Sequence, residues 1–206
     1  MAVYEIENMS FTYAGSEKPA IEMINMTIQE GEFLLIGGPT GSGKTTLLRM
    51  LKQQTQPAGK KAGSIRYLGQ DIDAIGDKRS AEDIGMVFQD PDNQIVMQTV
   101  WQEMTFGMEN LGYTAGLIQK RLAEIIPFFS MASWVHQEVR TLSGGQKQLL
   151  NLASVMMLRP KVLLLDEPTS QLDPIATNEF IDMLMRINRE YSITVILSEH
   201  RLEHLY

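Results

Sequence analysis

The stretch Gly38-Pro39-Thr40-Gly41-Ser42-Gly43-Lys44-Thr45-Thr46 limits the fold of this chain more than any other. Before it lies the short apolar run Phe33-Leu34-Leu35-Ile36, bounded by glycine. After it comes TTLLRMLKQQ, in which Leu47, Leu48 and Leu51 recur at helical spacing. The order strand, glycine loop, helix is the context in which GxxxxGK[ST] binds phosphate. Its glycines let successive backbone N–H groups turn inward, and the following helix adds the partial positive charge of its N-terminus. In that arrangement Lys44 reaches the β- and γ-phosphates of a nucleotide, and the Thr45 hydroxyl ligates Mg2+. A plain glycine turn with an exposed lysine explains far fewer of these residues.

The remaining pattern alternates between strand and helix. Ile24, Met26 and Ile28 alternate with polar neighbours, and Gly63 to Leu68 and Ile84 to Phe88 predict two further strands. DIDAIGDKRSAED between those two strands is expected to be a polar connection. From 99 to 158 the character becomes helical: TVWQEMTFGMENLG, then TAGLIQKRLAEIIPFF with Leu117, Ile118, Leu122, Ile125 and Ile126 on one face, then GGQKQLLNLASVMML. Val162 to Leu165 is apolar throughout, as a parallel strand buried on both faces tends to be, and is followed by a helix from about Pro174 to Glu190 and a strand from Ile193 to Leu197.

Composition excludes several function classes. At 206 residues the chain suits one domain with an attached subregion. Its net charge of −7, with no cluster of lysine and arginine, argues against a nucleic-acid partner, which requires a basic surface. The absence of cysteine fits a reducing compartment, and no stretch approaches the ~20 apolar residues of a membrane span. The acidic start MAVYEIENMSF is unlike a signal peptide, so any membrane role is expected to come through a partner.

Two further segments carry chemistry. Asp166 ends the apolar strand, where its carboxylate can hold the hydration shell of Mg2+, and Glu167 follows where a carboxylate can orient or deprotonate attacking water. Leu142-Ser143-Gly144-Gly145-Gln146 is a second glycine-rich segment ahead of a helix. Glycines that permit a tight start to that helix would account for Gly144 or Gly145, but on that reading Ser143 and Gln146 are unexplained.

GPTGSGKTT, Gln89, LSGGQ, LLLDEP, SQLD and His200, in that order, resemble the ATP-binding cassette (ABC) transporter ATPases, from about Tyr4 to the last residues. The resemblance implies an α/β fold: a P-loop NTPase core with a mixed or parallel sheet (1–98 and 159–206), an N-terminal antiparallel β subregion and an inserted helical signature subdomain (about 99–158). It implies an ATPase with ATP and Mg2+ as cofactors, working as a head-to-tail dimer. There Ser143, Gly144, Gly145 and Gln146 cap, in trans, the ATP held by the other cassette's phosphate loop. By the same resemblance Gln89 contacts Mg2+ and the attacking water, His200 bonds the γ-phosphate, Tyr13 stacks on adenine, and Asp173 connects the two ATP sites. For Tyr13 core packing is an alternative. For Asp173 a helix N-cap before Pro174 is an alternative that can hold simultaneously.

Asp90-Pro91-Asp92-Asn93-Gln94 after Gln89 is similar to the energy-coupling-factor branch and its cobalt or nickel relatives. This implies a vitamin or transition-metal importer, with transmembrane partner subunits and a place on the cytoplasmic face of the membrane. A non-transport cassette in DNA repair, chromosome structure or translation is the alternative, and a regulatory nucleotide-binding module without turnover is a third. Two departures from the family pattern are visible: Leu149 stands where arginine is usual, and SQLD replaces the frequent SALD. The chain ends six residues past His200, so the C-terminal part of the usual domain is expected to be absent, as in a shortened piece or the first half of a tandem cassette.

Overall fold

The computed structural model describes residues 1–200. Its elements run β1 (Ala2–Tyr13), β2 (Ile21–Gln29), β3 (Phe33–Gly37), α1 (Lys44–Met50), β4 (Gly59–Tyr67), β5 (Gln70–Asp71), α2 (Asp77–Asp83) and β6 (Ile84–Val87). There follow α3 (Val100–Asn110), α4 (Ala115–Phe128), α5 (Gly144–Met156), β7 (Val162–Asp166), α6 (Pro174–Tyr191) and β8 (Thr194–Glu199). The fold is α/β with two sheets. One is antiparallel in the order β2-β1-β4-β5, and the other is parallel in the order β3-β8-β7-β6. The expected core range of 159–206 extends past the described residues.

Period-two alternation on the parallel strands explains how the layers assemble. Leu163 and Leu165 of β7, with Val195 and Leu197 of β8, face a core shared with α3, α4, α5 and α6. Val162 and Leu164, with Ile196, face the opposite core, which they share with α1 and the antiparallel sheet. A strand buried on both faces has no polar side to alternate with, hence its unbroken apolar run. On α4, Ile118, Leu122 and Ile125 are buried and Leu117 and Ile126 half-buried, as their spacing predicted. Leu149 packs half-buried against this same core.

Three boundaries differ from the sequence expectation. The polar connection before β6 contains strand β5 and helix α2. No apolar stripe announces α2, because polar groups hold it: Ser80 is buried and donates to Gln54 Oε1 at 2.6 Å, while Lys52 Nζ donates to the Ser80 carbonyl at 2.9 Å. Strand β4 begins at Gly59 rather than Gly63, its first residues pairing with β1 as Tyr13↔Gly59, Thr12↔Lys60 and Phe11↔Lys61. Gly63 marks a bulge opposite Asn8. Its φ is +81°, and a Cβ there would lie 2.4 Å from the Asn8 carbonyl oxygen, so only glycine fits. Finally, β6 stops at Val87, which leaves Gln89 in the bend beyond the strand rather than at its end.

Candidate functional site

The segment between β3 and α1 is shaped by glycines that the backbone requires. Gly43 is the N-cap of α1 with φ +93°, and a Cβ on it would stand 2.4 Å from the Ala20 carbonyl oxygen. Gly41 also has positive φ, +81°. Both residues sit in a conformation that L side chains rarely adopt. The loop folds back on its own lysine: Lys44 Nζ donates to the carbonyls of Gly38 at 2.8 Å and Pro39 at 3.2 Å.

The end of β7 meets this loop. Lys44, only 6% exposed, pairs with Glu167 at 3.1 Å. The Thr45 hydroxyl donates to Asp166 Oδ1 at 2.9 Å, and the Ser198 hydroxyl of β8 donates to the same oxygen at 2.9 Å. Gln89 Nε2 reaches Glu167 Oε2 at 3.4 Å. Glu167 itself has φ +43°. Its N–H donates to the Ser198 carbonyl at 3.1 Å and to the Ser198 hydroxyl at 3.2 Å.

Tyr13, Thr40, Gly41, Gly43, Lys44, Thr45, Thr46, Gln89 and Glu167, together with Ala20, line one cleft of about 370 Å³. Tyr13 is 37% exposed, shares a 2.9 Å hydrogen bond with the Thr46 hydroxyl, and meets Phe11 edge to face. One side of its ring thus packs while the remainder opens onto the cleft, so packing and ligand contact are compatible. Asp166 lines an adjoining cleft with Thr45 and Gln89. His200 is exposed and, with Glu167, Thr169 and Glu199, lines a third of about 330 Å³.

Ala20, Ser198, Thr169 and Glu199 escaped the sequence reading. Burial pushes the Glu199 carboxyl above its ordinary range, a bond from the Thr169 hydroxyl at 2.7 Å pulls it back, and the neighbouring Glu167 charge raises it further. The signal available beforehand was a glutamate two residues past the predicted strand Ile193 to Leu197.

The second glycine segment lies apart, and Ser143, Gly144, Gly145 and Gln146 are not among the residues lining the first cleft. Here the structure corrects the sequence reading. Ser143 Oγ accepts from Gln146 N at 3.2 Å, and Gln146 Oε1 accepts from Ser143 N at 2.9 Å, a complete capping box at the start of α5. The serine and glutamine therefore have a local structural reason. The glycines do not: neither has positive φ, a Cβ on Gly144 would meet nothing within 4 Å, and one on Gly145 would make ordinary contact with Ala176 at 3.7 Å. Asp173 caps α6, its Oδ1 accepting from Ile175 N and Ala176 N at 2.9 Å each.

Among the described residues there is no group of three or more His, Cys, Asp or Glu able to hold a metal by themselves. A hydroxyl and a carboxylate already in contact, Thr45 and Asp166, are hard oxygen donors. They fit Mg2+, which takes one or two protein oxygens and keeps water and substrate phosphate for the rest of its coordination.

A glycine loop between a parallel strand and a helix, with an Asp-Glu pair brought against its lysine and threonine, defines a P-loop nucleotide-binding domain. The profile of the ABC transporter family matches residues 21–170, and the chain belongs to that family as an ABC transporter ATPase domain. A protein of Bacillus cereus (strain ATCC 10987 / NRS 248), provisionally named an ABC transporter ATP-binding protein, is 53% identical over 98% of this chain, which spans 36% of that protein. One from Pyrococcus horikoshii, similarly named, is 38% identical over the whole chain and 73% of its own length. The solved structure of cbiO1 from Clostridium perfringens, part of the ABC transporter complex cbiONQ, superposes with a TM-score of 0.88 at 32% identity, covering 99% of this chain and 80% of that one. The chain thus spans about a third of the length of Bacillus relatives it matches.

Proposed function

We propose that the chain is the ATP-binding and ATP-hydrolysing motor part of a membrane importer of the energy-coupling-factor type, for a vitamin or transition metal. Of the described residues, 1–98 and 159–200 form its ATP-binding core and about 99–158 its helical signature subdomain. The observation that carries this reading is the convergence of Lys44, Thr45, Gln89, Asp166 and Glu167 at one cleft edge. The DPDNQ stretch after Gln89 and the likeness to cbiO1 support the branch. Among the described residues no helix is long and apolar enough to cross a membrane, which is consistent with attachment to the cytoplasmic face through transmembrane partner subunits.

In this mechanism the loop 38–46 wraps the phosphates with backbone N–H groups, and Lys44 neutralises charge on the β- and γ-phosphates. Thr45 and Asp166 would hold Mg2+, which when bound supplies charge neutralisation at the phosphates. Tyr13 offers a ring face to the base. Glu167 accepts a proton from, or orients, the attacking water; Gln89 and His200 complete the polar surround. For Glu167 to turn to water its pair with Lys44 must loosen, so triphosphate binding and base release are coupled through one ammonium.

Ser143, Gly144, Gly145 and Gln146 act in trans on the ATP of a second cassette, with Asp173 beside them. Support comes from the glycines: the chain's own packing gives no reason for them at 144 and 145, whereas a phosphate approaching the start of α5 from outside does. ATP is then the adhesive of a head-to-tail dimer. Glu167→Gln in the full-length protein with its partners is expected to retain ATP binding and form an ATP-stabilised dimer, with turnover reduced at least ~100-fold. Unchanged turnover removes Glu167 from the mechanism.

A further inference from the structure

Gln94 belongs to the DPDNQ stretch, and the mechanism above assigns it no role. Its side chain is tied to the backbone at both ends: Oε1 accepts from Phe88 N at 3.0 Å, and Nε2 donates to the Met86 carbonyl at 3.0 Å. A residue of a neighbouring strand would make the same two bonds. Gln94 thus extends the pairing of β6 past its last residue, Val87, to the N–H of Phe88, the residue directly ahead of Gln89. The carbonyl of Phe88 is taken from the other side, by Gln148 Nε2 of α5 at 3.4 Å. The backbone of one residue, Phe88, is therefore gripped by two side-chain amides, one on its N–H from its own loop and one on its carbonyl from the helix that begins at Gly144.

Two further polar contacts join this loop to α5. Asn151 Nδ2 donates to the Pro91 carbonyl at 3.4 Å, and Lys147 pairs with Asp92 at 2.5 Å. Gln148 and Asn151 are 1% and 0% exposed, and the carbonyl oxygens of both side chains lack partners among the described residues. Apolar packing at that seam would be the cheaper way to join a helix to a loop, so amides kept there with half their capacity unmet call for a reason other than stability.

We infer that Gln94 and Gln148 are positioning residues that hold the backbone of Phe88, one by its N–H and the other by its carbonyl, between β6 and α5, and thereby set the reach of Gln89 to Glu167. A displacement of α5 acts on the Phe88 carbonyl through Gln148, while Gln94 keeps the Phe88 N–H in line with the strand. Gln89, one residue on, then moves toward or away from the Glu167 carboxylate. This inference rests on the ATPase reading given above.

The test is a double-mutant cycle on steady-state MgATP hydrolysis by the full-length protein assembled with its partners. Gln94→Ala is expected to lower kcat ~10-fold with KM within ~2-fold, and to cost less than ~2-fold further when Gln89 is already alanine, since residues acting as a unit are non-additive. Should Gln94→Ala not fold, Gln148→Leu carries the same cycle. It removes an amide whose oxygen is already unpaired, so thermal stability should hold while kcat falls ~3-fold. Equal losses in the wild-type and Gln89→Ala backgrounds, or an unchanged kcat, overturn the positioning role. If Gln89→Ala leaves kcat unaltered, the positioning role falls with the role of Gln89; if wild-type protein does not hydrolyse ATP, it is the ATPase reading that falls.

Discussion

The chain starts two helices with glycine-rich segments, and the reasons for the glycines differ between them. Ahead of α1 they are demanded from within: Gly43 has φ +93° and would clash with the Ala20 carbonyl if it carried a side chain. Ahead of α5 the polar residues close a capping box, and the glycines lack positive φ and leave room for a Cβ without a clash. The first loop is thus shaped by the protein around it, and the second leaves room for something the chain does not supply. Similar motifs can be distinguished by asking which of their residues the fold already explains.

That contrast can be broken experimentally. Gly43→Ala should have the largest effect, destabilising the fold by ~2–4 kcal/mol and abolishing ATP binding, because the helix start must shift away from Ala20. Thermal unfolding with and without MgATP measures both. Gly144→Ala should do the reverse: stability rises by ~0.5–1 kcal/mol and ATP binding survives, while hydrolysis falls ~100-fold. Full activity in Gly144→Ala would reduce the second loop to a helix start.

Ser143→Ala removes one arm of the capping box and should cost ~1 kcal/mol, with Ser143→Asn recovering most of it. If hydrolysis recovers along with stability, the serine serves only as a cap. The smallest effect is expected at Glu199. Its folded pKa is raised, so ionisation opposes folding and stability is lost as pH rises from its ordinary value of 4.5 through the folded one. Glu199→Gln should match the wild type in acid and gain a few degrees in Tm near neutrality, with the Thr169 bond still available to its amide oxygen. A constant gap at every pH would assign the effect to packing.

The parts legible in the sequence are those in which side-chain period equals burial period. Val162 to Leu165 and the stripe Ile118, Leu122, Ile125 could be placed because burial alone dictates them. Helix α2 could not: it is held by Ser80, Gln54 and Lys52, whose meeting depends on where three separate segments lie in space. The same limit applies at the site. Phosphate-loop residues are contiguous and were readable as a motif, whereas Ser198 and Thr169 join through strand β8 and have no local signature. The capping box is legible too, since Ser-x-x-Gln before a helix is its pattern, and it accounts for the Ser143 and Gln146 that a glycine-only helix start leaves unexplained.

Glu167 carries a left-handed backbone, φ +43°, held by its N–H bonds to Ser198. A non-glycine residue there costs on the order of 1 kcal/mol, which glycine would return. The substitution that removes the proposed water-handling carboxylate is therefore also one that relaxes the main chain. Directed evolution of this domain for heat resistance alone would drift toward inactive survivors at position 167, so any such library needs a turnover screen beside the thermal one.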